Sequence, residues 1–338
     1  MWRCAEFGRP DFDETGACVR AAVITALTGP DAVEVREISE PIPDEGQVLV
    51  DIEYAGVAFP DVLQTRGEYQ VRPQLPFVPG WEVSGTVRSD AGGFVAGDRV
   101  VAMPMSGGFA QSVAVPSPMV FPLPDSVSFA KGAALPLNSL TTHFALIRRA
   151  QLRPGESVLV HGAAGGVGTA ACRMAAAHDA RVIAVVSSAD KADVATEAGA
   201  LDVVLTDDFK NEVHRLTGGR GVDVIVDPVG GDRFTDSLRS LAREGRLLVV
   251  GFAGRGIPTV KVNRLLLTNT SVMGVAVKEF WDGAPGYPGE QWRELLPLLE
   301  RGVLDPVLGP QFLLDDAASA IRVLDERRAT GKVLVRCR

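Results

Sequence analysis

Apolar positions fall into two regimes along the chain. From Ala21 to about Val120 they come in short runs, Val48 to Ile52 and Val83 to Val87 among them, broken repeatedly by Gly and Pro. Gly97-Asp98-Arg99-Val100 reads as a turn entering a further strand. Such punctuation marks an irregular, strand-rich unit. Phe129 to Ala150 has helical spacing, interrupted near Pro136. Beyond it, short apolar runs at Val158–Val160, Val182–Val186, Val203–Leu205, Val222–Val226 and Leu247–Val250 alternate with helical segments. Those segments run over Gly166–Ala177, Lys191–Ala198, Phe209–Leu216, Asp232–Leu241 and Val262–Leu267. Strand–helix alternation of this kind predicts a parallel sheet covered on both faces. Val272–Val277 supplies a sixth strand. A helix (Trp292–Leu299), a strand (Pro310–Leu313), a helix (Ala317–Arg327) and a last strand (Val333–Arg336) close the chain.

Bulk properties narrow this picture. A chain of 338 residues, 46% hydrophobic and 22% charged, suits an ordinary globular protein of two domains. A net charge of −8 argues against nucleic acid as the main partner. No apolar run approaches the roughly 20 residues that span a bilayer. Cys4, Cys18, Cys172 and Cys337 form no C-x-x-C pair, so a cytoplasmic protein without a structural metal is expected. Residues 1–18 carry Asp11, Asp13 and Glu14 without an apolar stretch. They are expected to be a disordered tail or a misplaced start, not a secretory signal, with Val19 near the true beginning.

The densest chemical signal is Ser157–Gly168, SVLVHGAAGGVG, a buried strand running through a small-residue turn into a helix. Gly165 lets backbone approach a pyrophosphate, and Gly168 lets the helix pack on the strand. The N–H groups of Gly166, Val167 and Gly168 would then face the anion. The motif departs from G-x-G-x-x-G in carrying Ala163 at the first glycine. An acidic residue after the second strand would select NAD. Here stand Ser187 and Ser188, followed by Ala189-Asp190-Lys191. Two hydroxyls and an ammonium favour a 2′-phosphate and hence NADPH. The plainer alternative for Lys191 is a solvated surface lysine, and Asp190 suits the N-cap of the next helix.

With Gly162–Gly168, Ser187, Ser188 and Lys191, the chain resembles the medium-chain dehydrogenase/reductase superfamily, in its zinc-free quinone oxidoreductase branch. Gly56-Val57-Ala58-Phe59-Pro60-Asp61 is similar to the branch's GVNxxD, and Pro79 to Gly85 to its PGxExxG. Gly107-Gly108-Phe109-Ala110 and Gly331-Lys332-Val333 match as well. The resemblance implies an α/β fold. A Rossmann-type doubly wound parallel sheet (140–275) would join a mainly β, GroES-like catalytic domain built from both chain ends (19–139 and 276–338). It further implies that Thr141, Gly251 and Phe252 lie by the nicotinamide end of the cofactor. A helix N-terminal hydroxyl bonded to its own backbone is the alternative for Thr141.

Zinc-dependent relatives place Cys and His ligands where this chain has Ala58 and Trp81, and neither side chain binds zinc. The four histidines do not rebuild a site. His161 reads as packed, His178 and His214 as helix-surface residues, and His143 as facing the cleft at best. The branch's active-site Asn is Ala58 here, so one hydrogen-bond donor is lost. Tyr69 and Asp61 are the candidate catalytic residues. Tyr69 can bond or protonate a carbonyl oxygen from a loop that the resemblance puts at the substrate mouth. Asp61 is a proton-transfer candidate, with a buried carboxylate satisfied by loop N–H groups as its plainer reading. Gln64 is a weaker polar candidate. Phe280 and Trp281 either cap the pocket or pack between domains.

The expected function is NADPH-dependent, zinc-independent hydride transfer to quinones or α,β-unsaturated carbonyl compounds. The alternatives are an enoyl-thioester (acyl-CoA) reductase, with Arg66 and Arg72 lining a channel, and a non-catalytic NADPH-binding protein. Ser271–Val277 would leave an exposed apolar edge, so a homodimer is expected.

Overall fold

The computed structural model describes residues 17–338. The expectation for residues 1–18 lies outside that range except at its end, where β1 (Cys18–Ile24) begins and pairs antiparallel with β2 (Val33–Ser39). There follow β3 (Gln47–Gly56), α1 (Phe59–Thr65), β4 (Glu82–Val87), β5 (Arg99–Ala102), β6 (Ser112–Pro116) and β7 (Val120–Pro122). Next come α2 (Phe129–Ala133) and α3 (Pro136–His143). Pro136 is in the first turn of α3, where a missing N–H costs nothing, and so the helical period breaks there. Phe144–Arg149 continues as a π-helix.

The alternating half comprises β8 (Ser157–His161), α4 (Gly166–Ala177), β9 (Arg181–Val186), α5 (Ala192–Glu197), β10 (Asp202–Leu205) and α6 (Phe209–Leu216). It continues through β11 (Val222–Asp227), α7 (Phe234–Arg239), β12 (Leu241–Val249), α8 (Asn263–Thr268) and β13 (Ser271–Gly274). Its six strands run in the order β10-β9-β8-β11-β12-β13 with every neighbour parallel. Strand order reverses between β8 and β11. The crevice above their carboxyl ends is where an open α/β sheet binds its ligand.

The last elements are α9 (Val277–Gly283), α10 (Tyr287–Glu300), β14 (Leu308–Leu313), α11 (Ala317–Asp325) and β15 (Lys332–Arg336). β15 returns to pair antiparallel with β3. The second sheet is thus seven-stranded, β14-β15-β3-β4-β5-β7 with β6 on β3, and takes strands from both ends of the chain. The expected fold class is the one observed, a doubly wound parallel sheet beside a mainly β, GroES-like unit.

Two expectations are corrected. The sixth strand stops at Gly274, and Val277 instead opens α9. Val277, Phe280 and Trp281 stand at i, i+3 and i+4, a helical stripe whose Val277 and Trp281 are buried. The helix expected over Trp292–Leu299 starts earlier, as α10 at Tyr287, with Pro288 in its first turn.

One core runs through both halves. Val158, Val160 and Met174 belong to the same buried cluster as Val101, Phe121 and Leu123. Trp292 of α10 stacks on Phe121 at 5.3 Å and donates its indole N–H to Pro122 O at 3.0 Å. Leu159, Ile225 and Phe209 fill the other face of the parallel sheet.

Glu82 of β4 and Lys332 of β15 form a buried ion pair, 0% and 4% exposed. Glu82 Oε2 also accepts the N–H of Leu137 at the start of α3, at 2.8 Å. Charges are kept in such a place only when paired. Lys332→Met should therefore lower the free energy of urea unfolding by about 3–5 kcal/mol. Adding Glu82→Gln should recover part of that loss in a double-mutant cycle.

Candidate active site

β8 ends on His161, and Gly162 turns the chain with φ 58°. Gly165 is the N-cap of α4 and offers no side chain to its first turn. The N–H groups of Gly166, Val167 and Gly168 meet no acceptor among the described residues. A Cβ at Gly168 would lie 2.1 Å from Gly162 O, so only glycine allows α4 to approach the turn. A Cβ at Gly166 would lie 2.9 Å from the Asn138 amide of α3. Gly331 N donates to Ala164 O at 2.8 Å and braces the turn from the far end of the chain. Three free N–H groups at the head of a twelve-residue helix fit a pyrophosphate.

Ser187, Ser188 and Lys191 meet beyond the end of β9. Lys191 Nζ lies 3.2 Å from Ser187 Oγ and 3.2 Å from Arg327 O. Asp190 does not cap α5, whose N-cap is Lys191. A hydrogen bond from Ser188 holds the Asp190 carboxyl below its ordinary value.

Gly251 and Phe252 follow β12 in a loop zipped to the one after β11, with Ala253 N on Pro228 O (3.1 Å) and Gly254 N on Val229 O (2.8 Å). Phe252 is partly exposed, and its ring crosses Gly230, where a Cβ would come within 2.9 Å of it. Under the crevice, His161 is fully enclosed, with Nε2 2.8 Å from Ser237 Oγ. Burial pushes its pKa down to about 4, against the pull of Asp227.

Thr141 is buried in the second half of α3 and is not an N-terminal hydroxyl; its neighbour Thr142 makes the bond back to Asn138 O, at 2.9 Å. His143 does not face the cleft. It turns to α10, with Nε2 2.9 Å from Glu294 Oε2 and Nδ1 3.2 Å from the Gln291 amide. Gln291 also accepts the indole N–H of Trp281 at 2.9 Å, so Trp281 packs in this network. Phe280 packs on Phe144 at 5.1 Å.

Asp61 is corrected from a catalytic candidate to a structural one. It is fully buried, and both oxygens are taken by backbone: Oδ2 by Ala58 N at 2.8 Å and Oδ1 by Gly80 N at 3.0 Å. Desolvation lifts its pKa to about 7, and these N–H bonds and Lys332 oppose the rise. Tyr69 is half-buried with its ring edge-on to Trp81, centroids 5.2 Å apart. Burial, Glu279 and Asp61 raise its phenol to about 12, which keeps it protonated as a donor.

Arg66 is ion-paired to Asp325, and Arg255 reaches the other oxygen of the same carboxylate at 2.7 Å. Asp325 thereby ties the Tyr69 loop to the loop that carries Phe252, and Arg66 is not free for a ligand phosphate. Sequence reasoning missed this clamp and the Glu82–Lys332 pair. Glu82 and Lys332 both sit in recognisable motifs, but no spacing signals that they meet. Among the described residues, no group of three or more His, Cys, Asp or Glu could hold a metal, and no helix is long and apolar enough to cross a membrane.

The family model described as "Zinc-binding dehydrogenase" matches residues 166–301, and "Alcohol dehydrogenase GroES-like domain" matches residues 44–125. Quinone oxidoreductase-like protein 2 of Bos taurus is 37% identical, over 99% of this chain and 96% of its own. This chain belongs to the zinc-independent quinone oxidoreductase branch of the medium-chain dehydrogenase/reductase superfamily. It is an oxidoreductase. A probable oxidoreductase from Mycobacterium abscessus shares the structure with a TM-score of 0.87, at 39% identity over 95% of this chain and 99% of its own. The quinone oxidoreductase of Thermus thermophilus, solved alone and with NADPH, has a TM-score of 0.82, at 36% identity over 94% and 99%. Members of this superfamily use a nicotinamide cofactor, and the turn at Gly162–Gly168 fits its pyrophosphate.

Gly168→Ala places a methyl group against backbone oxygen. It should abolish dinucleotide binding in a nicotinamide-fluorescence titration while the far-ultraviolet circular dichroism stays that of the parent.

Proposed function

We propose that this chain is an NADPH-dependent, zinc-independent reductase of quinones and α,β-unsaturated carbonyl compounds, working in the cytosol. The observation that carries the proposal is at Trp81. Its indole is 3% exposed and supports the Tyr69 ring, at a position where zinc-dependent relatives have a ligand. An acceptor there meets an aromatic floor and hydrogen-bond donors in place of a Lewis acid. Electron-poor acceptors suit such a site because little polarisation is needed. Reduction takes one hydride and one proton, converting a quinone to a hydroquinone or an enone to a saturated ketone. The nicotinamide cofactor supplies the hydride when bound. Gly166, Val167 and Gly168 would hold its pyrophosphate. Gly251, Phe252 and Thr141 would border the nicotinamide, and the Tyr69 phenol would donate to the carbonyl oxygen.

The choice of NADPH rests on Lys191. Among the described residues its ammonium hydrogen-bonds a hydroxyl and a carbonyl, and a 2′-phosphate is a far stronger partner for it. The enoyl-thioester alternative is weakened by Arg66, which is committed to Asp325. The homodimer proposal rests on β13, an edge strand with Ile257, Val262, Leu266 and Leu267 exposed nearby. Such an edge is stable in solution when covered.

Stopped assays with NADPH across a panel of quinones and enones should find turnover; no binding and no turnover across the panel would reject the proposal. Lys191→Ala should weaken NADPH about tenfold or more, as loss of a charged hydrogen bond does, and leave NADH nearly unchanged. Light scattering should return the mass of a dimer, and a monomer would refute the pairing of β13.

A further inference from the structure

The branch's active-site Asn is Ala58 here, yet a second amide stands in the same helix. Gln64, in the last turn of α1, is 3% exposed. Its Oε1 accepts the indole N–H of Trp81 at 3.4 Å. An indole N–H can only donate, so the amide must present its oxygen to Trp81 and turn its NH2 group the other way. That NH2 group meets no acceptor among the described residues. Gln64 and Tyr69 line one small cavity with Val71, Arg72 and Phe77, about 200 Å³ including the solvent at its mouth. This is less than the roughly 300 Å³ at which sites for drug-sized ligands begin, so in this conformation it is a shallow notch with Gln64 and Tyr69 on its wall.

Asp61 sets both halves of this contact. By holding Ala58 N at the head of α1 and Gly80 N just before Trp81, it fixes the helix against the indole. Glu82, next to Trp81, is bound in turn to Leu137 N at the head of α3, the helix that carries Thr141. The amide is thus joined, through Trp81 and the adjoining Glu82, to the head of α3.

Resting on the function proposed above, we infer that Gln64 donates a hydrogen bond to the acceptor's carbonyl oxygen in place of the lost Asn, and that Trp81 is the positioning residue that aims it. As hydride adds to the acceptor, its electron pair displaces charge onto that oxygen. Gln64 Nε2–H and the Tyr69 hydroxyl stabilise the resulting oxyanion, which then takes its proton from water. Gln64 loses no proton in the step.

Two variants separate this role from packing. Gln64→Leu removes the donor. Gln64→Glu keeps an acceptor for Trp81 but presents a carboxylate to the substrate. Burial raises the pKa of such a carboxyl. On protonation at lower pH it regains an O–H donor. Both variants should bind NADPH with the parent's dissociation constant and lose about 10- to 100-fold in kcat/KM at neutral pH, as loss of a hydrogen bond to a charged group does. Relative to the parent at each pH, Gln64→Glu should recover as pH falls and Gln64→Leu should not. Calorimetry with oxidised cofactor bound, where no turnover occurs, should show weaker quinone binding to Gln64→Leu. Parent-like kinetics in both variants would overturn the inference, as would losses that follow the same pH course. A parent protein that binds NADPH but reduces no acceptor would overturn the proposed function and this inference together.

Discussion

The Glu82–Lys332 pair holds the chemistry of this molecule in place. Both charges are buried, so each depends on the other, because neither has water to turn to. The pair joins β4 to β15, and through Leu137 N it also joins α3. Each partner has a working neighbour. Trp81 precedes Glu82 and supports Tyr69. Gly331 precedes Lys332 and bonds Ala164 in the phosphate turn. Gly331 has φ 65°, and a Cβ there would lie 2.7 Å from Val307 O. One electrostatic contact thus ties the Trp81 segment to the brace of the glycine turn, although β4 and β8 lie in different sheets.

Much of the architecture was legible because its signals are local. The apolar runs of the parallel sheet are short and bounded, and α4 and α6 fall on the expected residues, Gly166–Ala177 and Phe209–Leu216. Gly168 was legible for the same reason, since its constraint comes from Gly162, six residues away. The failures share a different cause. α9 was read as the tail of a strand because Val275 and Val277 continue the apolar run of β13, and the helical stripe at Phe280 and Trp281 begins only where that run ends. Asp325 joins Arg66 and Arg255, 259 and 70 residues away. Asp61 could be recognised as a motif residue, but whether its carboxylate faces substrate or backbone depends on Gly80, nineteen residues on. Pairings of that kind follow from topology, and the pattern along the chain carries no record of them.

The residues at Ala58 and Trp81 change what the neighbouring acids can do. A metal would draw electron density from a bound carbonyl and favour ionised groups around it. Without one, burial dominates. It lifts Asp61 to about 7 and the Tyr69 phenol to about 12. Asp61 then spends its oxygens on Ala58 N and Gly80 N, and it serves the site by fixing a loop. Tyr69 stays neutral across the range in which the protein would operate, and a neutral phenol hydrogen-bonds well but gives up its proton reluctantly.

That reluctance bears on the choice of acceptor. A ketone that must be protonated as hydride arrives would be poorly served by a phenol held near 12 and an amide that cannot ionise. A quinone or an enone spreads the arriving charge through its conjugated system, and the resulting oxyanion needs hydrogen-bond donors more than it needs an acid. Donors without acids are what Tyr69 and Gln64 can offer. On the proposed reading, the chemistry left to such a site is reduction of acceptors already poor in electrons, and the residues at Ala58 and Trp81 that replace the metal ligands narrow the proposed substrate class.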